Sequence, residues 1–402
     1  MSDKPISPQF IRGLHANITY WQEKTSNITD IDDSSIRADF LNLVRAVQLG
    51  SFHPATQLKT AELMCQVFFW VEQTGQWDIW LPLMNRLISK VEDKLICCRL
   101  YKQQGQLYRS GQMPDEAIEA LGKAAKYAKE LENDLLLAEA HMHLSATYLQ
   151  KRDFAKAEKY AHNALKRLSN RTDVEKQISA VYFTLGRVAM MKGDFAQSES
   201  HLRAAVDIGR GVQSQTQFAR ILNALAIVLH RQNNHELSEL TYLEAIEYID
   251  GTISVIDKIR LQLSLGSLYV DMKQFNNAEA LFIDAAQTLR SIPGQFHLVA
   301  MTANNLGNVL LEKGEYLAAE LQLRRSVELR RMLKTQLPLA NSYKSLGKTL
   351  AILGRFEEAL AVIDEALSIL ADFKDDVWAN EIYQECVSLR TMSESTMLNL
   401  KI

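Results

Sequence analysis

Apolar residues recur along the chain at the spacing of a helix face. Residues 33–49 predict an amphipathic helix that Asp32 or Asp33 can cap. Its apolar face comprises Ile36, Phe40, Leu43, Val44 and Val47. Residues 8–24 predict a weaker helix before it. Residues 376–390 predict a final helix whose apolar face comprises Val377, Trp378, Ile382, Cys386 and Leu389.

A marker position, occupied by Gly, Ser or Ala, returns at nearly constant intervals through most of the chain. It falls at Gly105, Ser145, Gly186, Ala226, Gly266, Gly307 and Gly347. Successive markers are 40, 41, 40, 40, 41 and 40 residues apart, which chance does not produce. Small residues also follow twelve and nineteen positions after the markers, as Ala117 and Ala124 follow Gly105. The sequence therefore contains an internal repeat.

Each repeat predicts two antiparallel helices joined by a short turn. A small marker in the first helix lets the two backbones approach, and larger residues at helical spacing fill the space around that contact. One pair alone leaves an apolar face uncovered, and the next pair covers it. The expected fold is therefore an all-α solenoid.

The marker and its flanking residues, as in Tyr343-x-x-Leu346-Gly347-x-x-Leu350, resemble the tetratricopeptide repeat (TPR) family over residues 98–370. The usual period of that family is about 34 residues. The additional residues of each repeat follow the second helix, so the chain is similar to long-period members of the family. The resemblance implies a right-handed α-solenoid of about eight helix pairs, which binds proteins or peptides and is not an enzyme.

Four segments are expected from these patterns. Residues 1–60 form an N-terminal helical segment, and residues 61–97 form an atypical repeat with Gly75 at the turn. Residues 98–370 hold seven repeats, and residues 371–402 form a C-terminal capping helix and tail.

The order of Asn42-Leu43, Phe68-Phe69-Trp70 and Gly75-x-Trp77 is similar to the TPR sensor arm of NB-ARC/STAND signalling NTPases. This likeness covers residues 30–90. The NTPase module has no counterpart, because the single G-K-[ST] match is the repeat marker Gly347-Lys348-Thr349 and its upstream P-loop glycine would fall at Ser342. The resemblance implies a sensor arm without its NTPase, with an effector protein in trans as a partner.

The amino-acid composition limits the classes of partner that the chain is expected to bind. The chain is 47% hydrophobic and 23% charged, and its net charge of -3 gives no basic footprint for nucleic acid. No run of about 18 apolar residues predicts a membrane span, and no secretory signal begins the sequence. The four cysteines form no C-x-x-C motif, which favours a reduced, cytoplasmic location.

Candidate chemistry elsewhere is weak, and no catalytic, cofactor or metal site is expected. His141 and His143 lie two positions apart, which places them on different faces of a helix, so a metal site with His162 is not favoured. Cys97 and Cys98 open a repeat helix, but no base is evident for a nucleophile. The basic run around Arg324 and Arg330 is expected to be a solvated face on a second helix.

The family resemblance implies that the first helices line a concave groove. Its groove-facing register lies six and three residues before each marker, and one, four and five after it. Transferred to this chain, the register gives a candidate partner-binding groove of Arg99, Lys102, Met142, Leu149, Phe183, Arg187, Met190, Arg220, Asn223, Arg260, Asn304, Asn308, Asn341, Lys344 and Lys348.

The charge of this groove predicts its ligand. Nine groove positions are basic: Arg99, Lys102, Arg109, Arg187, Arg220, Arg231, Arg260, Lys344 and Lys348. Five are acidic: Glu62, Glu72, Glu139, Asp271 and Glu312. The excess favours an acidic ligand or one with a free C-terminal carboxylate, which Asn and Lys or Arg side chains can hold.

The leading hypothesis is a non-catalytic scaffold or sensor arm that recruits a protein or peptide. The alternative is a peptide-responsive regulator, similar to long-period bacterial receptors, whose N-terminal helical segment controls an effector or response regulator. A third hypothesis is that the chain is an enzyme. A second copy of the chain is a further candidate partner.

Overall fold

The computed structural model describes residues 7–26, 34–68, 71, 77–169, 171–250, 254–292, 294–374 and 376–400. These residues form helices joined by turns and short loops, with no strand among them. The helices are α1 Pro8–Ser26, α2 Ser34–Gly50, α3 Pro54–Gln66, α4 Trp77–Ile88, α5 Lys94–Ser110, α6 Pro114–Glu130, α7 Asp134–Gln150, α8 Phe154–Leu168, α9 Glu175–Met191, α10 Phe195–Gly209, α11 Gln215–Arg231, α12 His235–Ile249, α13 Val255–Asp271, α14 Phe275–Arg290, α15 Phe296–Glu312, α16 Tyr316–Met332, α17 Gln336–Ile352, α18 Phe356–Leu370 and α19 Val377–Leu400.

The predicted fold class is confirmed, since the described chain is an all-α helical repeat array. Each of the seven markers lies in the first helix of a pair, from Gly105 in α5 to Gly347 in α17. Four residues that carried predictions about the N-terminal third lie outside the described residues, namely Asp32, Asp33, Trp70 and Gly75.

Contacts divide the chain into two units, residues 1–188 and 189–402, and the division falls within α9. In the first unit, one core joins the N-terminal helices to α5 through residues such as Ile18, Leu43, Trp80 and Leu100. In the second unit, a core made by α16–α19 includes Leu323, Tyr343, Ile363 and Ile382.

Local sequence explains where many helices begin. The carboxylate of Asp93 accepts a hydrogen bond from the Ile96 amide at 2.9 Å, and the Asn133 side chain accepts one from Leu136 at 3.0 Å. Such N-caps satisfy amides that the helix itself leaves unpaired.

The turn within each pair needs a left-handed residue seven positions after the marker. Three repeats place a glycine there, for example Gly193 with φ of 81°. Four others adopt the same region with a larger residue, at Gln112, Arg152, Asn233 and Lys273, with φ between 59° and 62°. The turn geometry is therefore constant although its residue varies.

The marker is the point of closest approach between the helices of a pair. A Cβ atom added to Gly307 would lie 2.7 Å from Cγ of Leu323 and 3.3 Å from the carbonyl oxygen of Ala319. Where the marker is Ser145, its hydroxyl donates a hydrogen bond of 2.6 Å to the carbonyl of Ala157. Each contact reaches the small residue twelve positions on, so the predicted packing of small residues holds at these markers.

The large residue sixteen positions after the marker also packs on it, which the sequence pattern did not single out. Leu121, Phe282, Leu323 and Ile363 occupy this position beneath the four markers Gly105, Gly266, Gly307 and Gly347. The glycine makes room for a bulky partner as well as for a close backbone.

We expect Gly307→Ala to lower the free energy of unfolding by about 1–3 kcal/mol, because the added methyl group overlaps Leu323 near its backbone. Gly122→Ala is the matched control, since a Cβ atom at Gly122 in α6 meets nothing within 4 Å. It should stabilise its helix by about 0.5–1 kcal/mol. Urea unfolding followed by circular dichroism measures both, and equal effects would contradict the close packing at the marker.

Candidate functional site

The predicted site residues of the first unit lie on α5, α7 and α9. Lys102 on α5 forms an ion pair of 2.5 Å with Glu139 on α7, and both side chains are about one-fifth exposed. Arg99, one helical turn before Lys102, is exposed. The adjacent first helices are therefore joined by a largely buried ion pair beside an exposed cation.

The apolar residues predicted in this unit do not share one environment. Met142 and Phe183 are partly exposed, and the guanidinium of Arg187 lies 5.7 Å from the Phe183 ring centroid, a cation–π contact. Leu149 is only 2% exposed. Its inclusion in the candidate groove was wrong, because the side chain is buried inside the unit and has no surface left for a ligand.

In the second unit, Arg220 and Arg260 converge on one carboxylate. Arg220 on α11 donates two hydrogen bonds to Asp257 on α13, of 2.9 and 2.7 Å, and Arg260 lies 3.2 Å from the same group. The Ser254 hydroxyl donates a further bond of 2.5 Å. Asp257 is 3% exposed, while about half of each arginine side chain stays exposed. This Arg–Asp cluster presents two guanidinium groups above a buried anion.

Burial and the two arginines shift the pKa of Asp257 in opposite directions. Burial alone would raise the pKa of this carboxyl, but the hydrogen bonds and charge of Arg220, with Ser254 and Arg260, hold the pKa below its usual range. Asp257 is therefore ionised at neutral pH and holds both arginines in place.

Asn223 lies one turn after Arg220 on the same helix. Its side chain is partly buried, and its Oδ1 accepts no hydrogen bond from the residues that the structure describes. A buried acceptor without a donor is costly, and this oxygen has no accessible surface that a ligand could reach.

Asn304 on α15 has a structural role that the register did not anticipate. It is 3% exposed, and its Oδ1 accepts a hydrogen bond of 2.8 Å from Ser342, which lies 2.9 Å from Ser326. Its inclusion in the candidate groove was wrong, because the next helix pair covers it. Asn308 and Asn341 remain partly exposed.

Arg330 was expected on a solvated face, and this expectation was also wrong. The residue is 6% exposed, and its Nε donates a hydrogen bond of 3.1 Å to Ser326. Burial lowers its pKa to about 10. The neighbouring Arg324, Arg325 and Arg331 are exposed, as predicted.

The lysines predicted near the end of the array are paired with acids. Lys348 lies 2.9 Å from Glu312 on the preceding first helix. Lys344 lies 2.8 Å from Glu385 on α19, and Arg231 on α11 lies 3.4 Å from Glu381 on the same helix. Asp257, Glu381 and Glu385 lie outside the groove-facing register, and they offset much of the positive charge that the register alone predicted.

The sequence analysis did not favour a cysteine nucleophile or a histidine metal site, and the described residues give no evidence for either. Burial raises the pKa of both Cys97 and Cys98, which opposes thiolate formation. Burial also lowers the pKa of His141, whose ring lies 5.5 Å from that of Tyr160. In the described part of the chain, no three His, Cys, Asp or Glu side chains are grouped so that they could hold a metal ion. Nor is any described helix long and apolar enough to cross a membrane.

Helix pairs at a 40–41-residue period, with a small marker at each crossing, define an α-helical repeat protein. Family models of the tetratricopeptide repeat match residues 257–332 in one case, and residues 145–212 and 304–374 in another. Over these residues the chain consists of tetratricopeptide repeats. No curated protein sequence matches it.

Several solved structures share the fold at low identity. A STAND protein with a tetratricopeptide repeat sensor from Pyrococcus horikoshii is 14% identical with a TM-score of 0.61, over 96% of this chain and 55% of that one. A Rap protein complexed with competence and sporulation factor is 12% identical with a TM-score of 0.56, over 83% of this chain and 99% of that one. NprR in complex with its cognate peptide NprX is 14% identical with a TM-score of 0.55, over 75% of this chain and 88% of that one.

Asp257→Asn should lower the free energy of unfolding at pH 7 by about 1–3 kcal/mol, because Arg220 and Arg260 lose a charged acceptor. The pKa of Asp257 is lower in the folded chain than in the unfolded one, so its stabilisation is present at neutral pH and is lost as the pH falls through the folded pKa. The deficit of the variant should therefore shrink below about pH 4.

The matched control is Asp250→Asn, because Asp250 pairs with Lys258 while 60% of its side chain is exposed. Its effect should stay below about 1 kcal/mol at any pH. Urea unfolding between pH 7 and pH 3 measures both variants. A deficit for Asp257→Asn that does not change with pH would refute the buried ion cluster.

Proposed function

We propose that this chain is a non-catalytic scaffold or sensor arm that binds a protein or peptide along the first helices of its repeats. The observation that carries the proposal is the Arg–Asp cluster on α11 and α13, which leaves two half-exposed guanidinium groups above a buried carboxylate. A peptide offers carboxylates that can bind these guanidinium groups.

The neighbours in fold support a peptide as the ligand. NprR is described with its cognate peptide NprX, and a Rap protein with competence and sporulation factor. At their identity to this chain these proteins share the fold, so the ligand of this chain is assigned by the chemistry of its own residues. A reduced, cytoplasmic location is part of the proposal, since the thiols of Cys97, Cys98 and Cys386 are free and buried.

The charge pattern defines the ligand further. The guanidinium groups of Arg220 and Arg260 are half exposed although both touch Asp257, so each keeps donors for an additional anion. A ligand with an acidic side chain or a free C-terminal carboxylate fits this arrangement. Asn308, Asn341 and Lys348 extend the same register toward the end of the array.

The first test is affinity capture from native lysate with Asn223→Ala/Lys348→Ala. The control double variant is Asn277→Ala/Arg325→Ala, which removes one amide and one cation from the second helices α14 and α16. A partner that the unchanged chain and the control both retain should bind the groove variant about five- to thirtyfold more weakly, as expected for loss of central contacts. Equal retention by all three proteins would refute the groove.

A regulator is the second candidate, in which the N-terminal helices act on an effector or response regulator. Exposed apolar side chains on these helices and the turn that joins them favour it, since Phe10 is 50%, Leu41 66% and Phe52 65% exposed. Leu41→Ser, added to the same capture experiment, distinguishes the candidates. A protein lost with Leu41→Ser but retained by the groove variant indicates an effector surface, whereas unchanged retention opposes it.

A further inference from the structure

The last helix, α19, has two edges with different chemistry. Its apolar edge is formed by Ala379, Ile382 and Cys386, which are all buried against the final helix pair. Its acidic edge carries Glu381 and Glu385, whose side chains are about half exposed. The apolar edge closes the open end of the repeat array, as a solenoid requires.

The acidic edge reaches first helices at both ends of the second unit. Glu385 pairs with Lys344 on α17 at 2.8 Å, within the helix pair that α19 covers. Glu381 pairs with Arg231 on α11 at 3.4 Å, although 150 positions separate them in the sequence. The start of α19 is therefore held against helices from opposite ends of this unit.

An apolar contact accompanies the second ion pair. Val377, the first residue of α19, lies beside the turn that precedes α10, and a Cβ atom added to Gly193 would be 3.8 Å from the Val377 Cβ. Two adjacent contacts thus join α19 to the beginning of the unit. Because Arg231 and Lys344 belong to the positions predicted to bind an acidic ligand, α19 occupies cations that such a ligand would use.

We propose that α19 is an internal ligand of the second unit, whose acidic edge occupies Arg231 and Lys344 until an acidic peptide displaces it. This inference rests on the proposed function. Exposed ion pairs are weak, and each changes an equilibrium by about fivefold or less. The acidic edge is therefore held loosely enough for a peptide to compete, while the buried apolar edge keeps α19 attached to α18.

A disulfide tests whether the contact forms in solution. In Gly193→Cys/Val377→Cys the two Cβ atoms would be 3.8 Å apart, within the range of about 3.5–4.5 Å that a disulfide spans. A side chain at position 193 is compatible with the turn, because four other repeats hold larger residues there at positive φ. Mild oxidation of the full chain, followed by mass spectrometry, should show rapid cross-linking.

The rate of cross-linking tests the ion pair. Adding Glu381→Gln should slow the reaction by about two- to fivefold, whereas Glu365→Gln should not. Glu365 is an exposed acid on α18 and forms no ion pair with a described residue. Failure to cross-link, or the same rate with Glu381→Gln, would overturn the internal ligand.

Competition is measured with a labelled synthetic peptide of residues 376–400, in which Cys386 is replaced by serine. Glu381→Gln/Glu385→Gln should bind this probe about two- to fivefold more tightly than the unchanged chain, because Arg231 and Lys344 lose their internal partners. The charge-matched Glu357→Gln/Glu365→Gln should bind it as the unchanged chain does. The oxidised cross-linked protein should bind it more weakly, and reduction should restore binding.

The two proposals fail in different ways. Probe binding that is the same in every variant, oxidised or reduced, overturns the competition by α19 and leaves the proposed function intact. Absence of binding by all of the proteins contradicts the acidic ligand of the proposed function, and the cross-linking rates then decide whether α19 is held by its acidic edge.

Discussion

The close approach of the two helices at each marker is the contact on which the rest of the structure depends. At Gly307 the first helix comes so near to Leu323 and Ala319 that the backbone itself forms the packing surface. A larger residue would separate the helices, and because each pair packs on the next, the displacement would pass along the array. The first-helix residues that form the candidate site keep their register only while these crossings are intact.

This dependence explains why so much of the fold could be predicted from the sequence. A position that tolerates only Gly, Ser or Ala leaves a visible period, and the marker at Ser145 shows why serine belongs to the set, since its hydroxyl bonds to the carbonyl of Ala157. The residue sixteen positions on was missed for the opposite reason. Leu121 or Ile363 has the same character as many apolar residues at helical spacing, so the pattern alone does not reveal which one packs on the marker.

The candidate site was less predictable than the fold. A register shows which face of a helix a residue lies on, but it does not show whether a neighbouring helix buries that residue. Asn304 faces the next pair and is buried by Ser342, 38 positions later. Arg330 occupies a position where other repeats place Ala128, Leu168 or Leu289, which are buried. Comparing repeats at that position would have indicated its burial, whereas the local run of basic residues indicated a solvated face. Asp257, by contrast, lies outside the groove register, so its pairing with Arg220 needed the structure.

The two edges of α19 separate what a solenoid needs from what this chain adds. A cap must cover the apolar face of the final pair, and burial of Ile382 and Cys386 does so. Capping does not require the contact of Glu381 with Arg231 or that of Val377 with the turn at Gly193. Arg231 and Gly193 both lie outside the final helix pair. Because Arg231 and Glu381 are each nearly half exposed, their pairing adds little to stability. An interaction that contributes little to folding and occupies cations of the candidate site is better explained by competition with a ligand than by support of the fold.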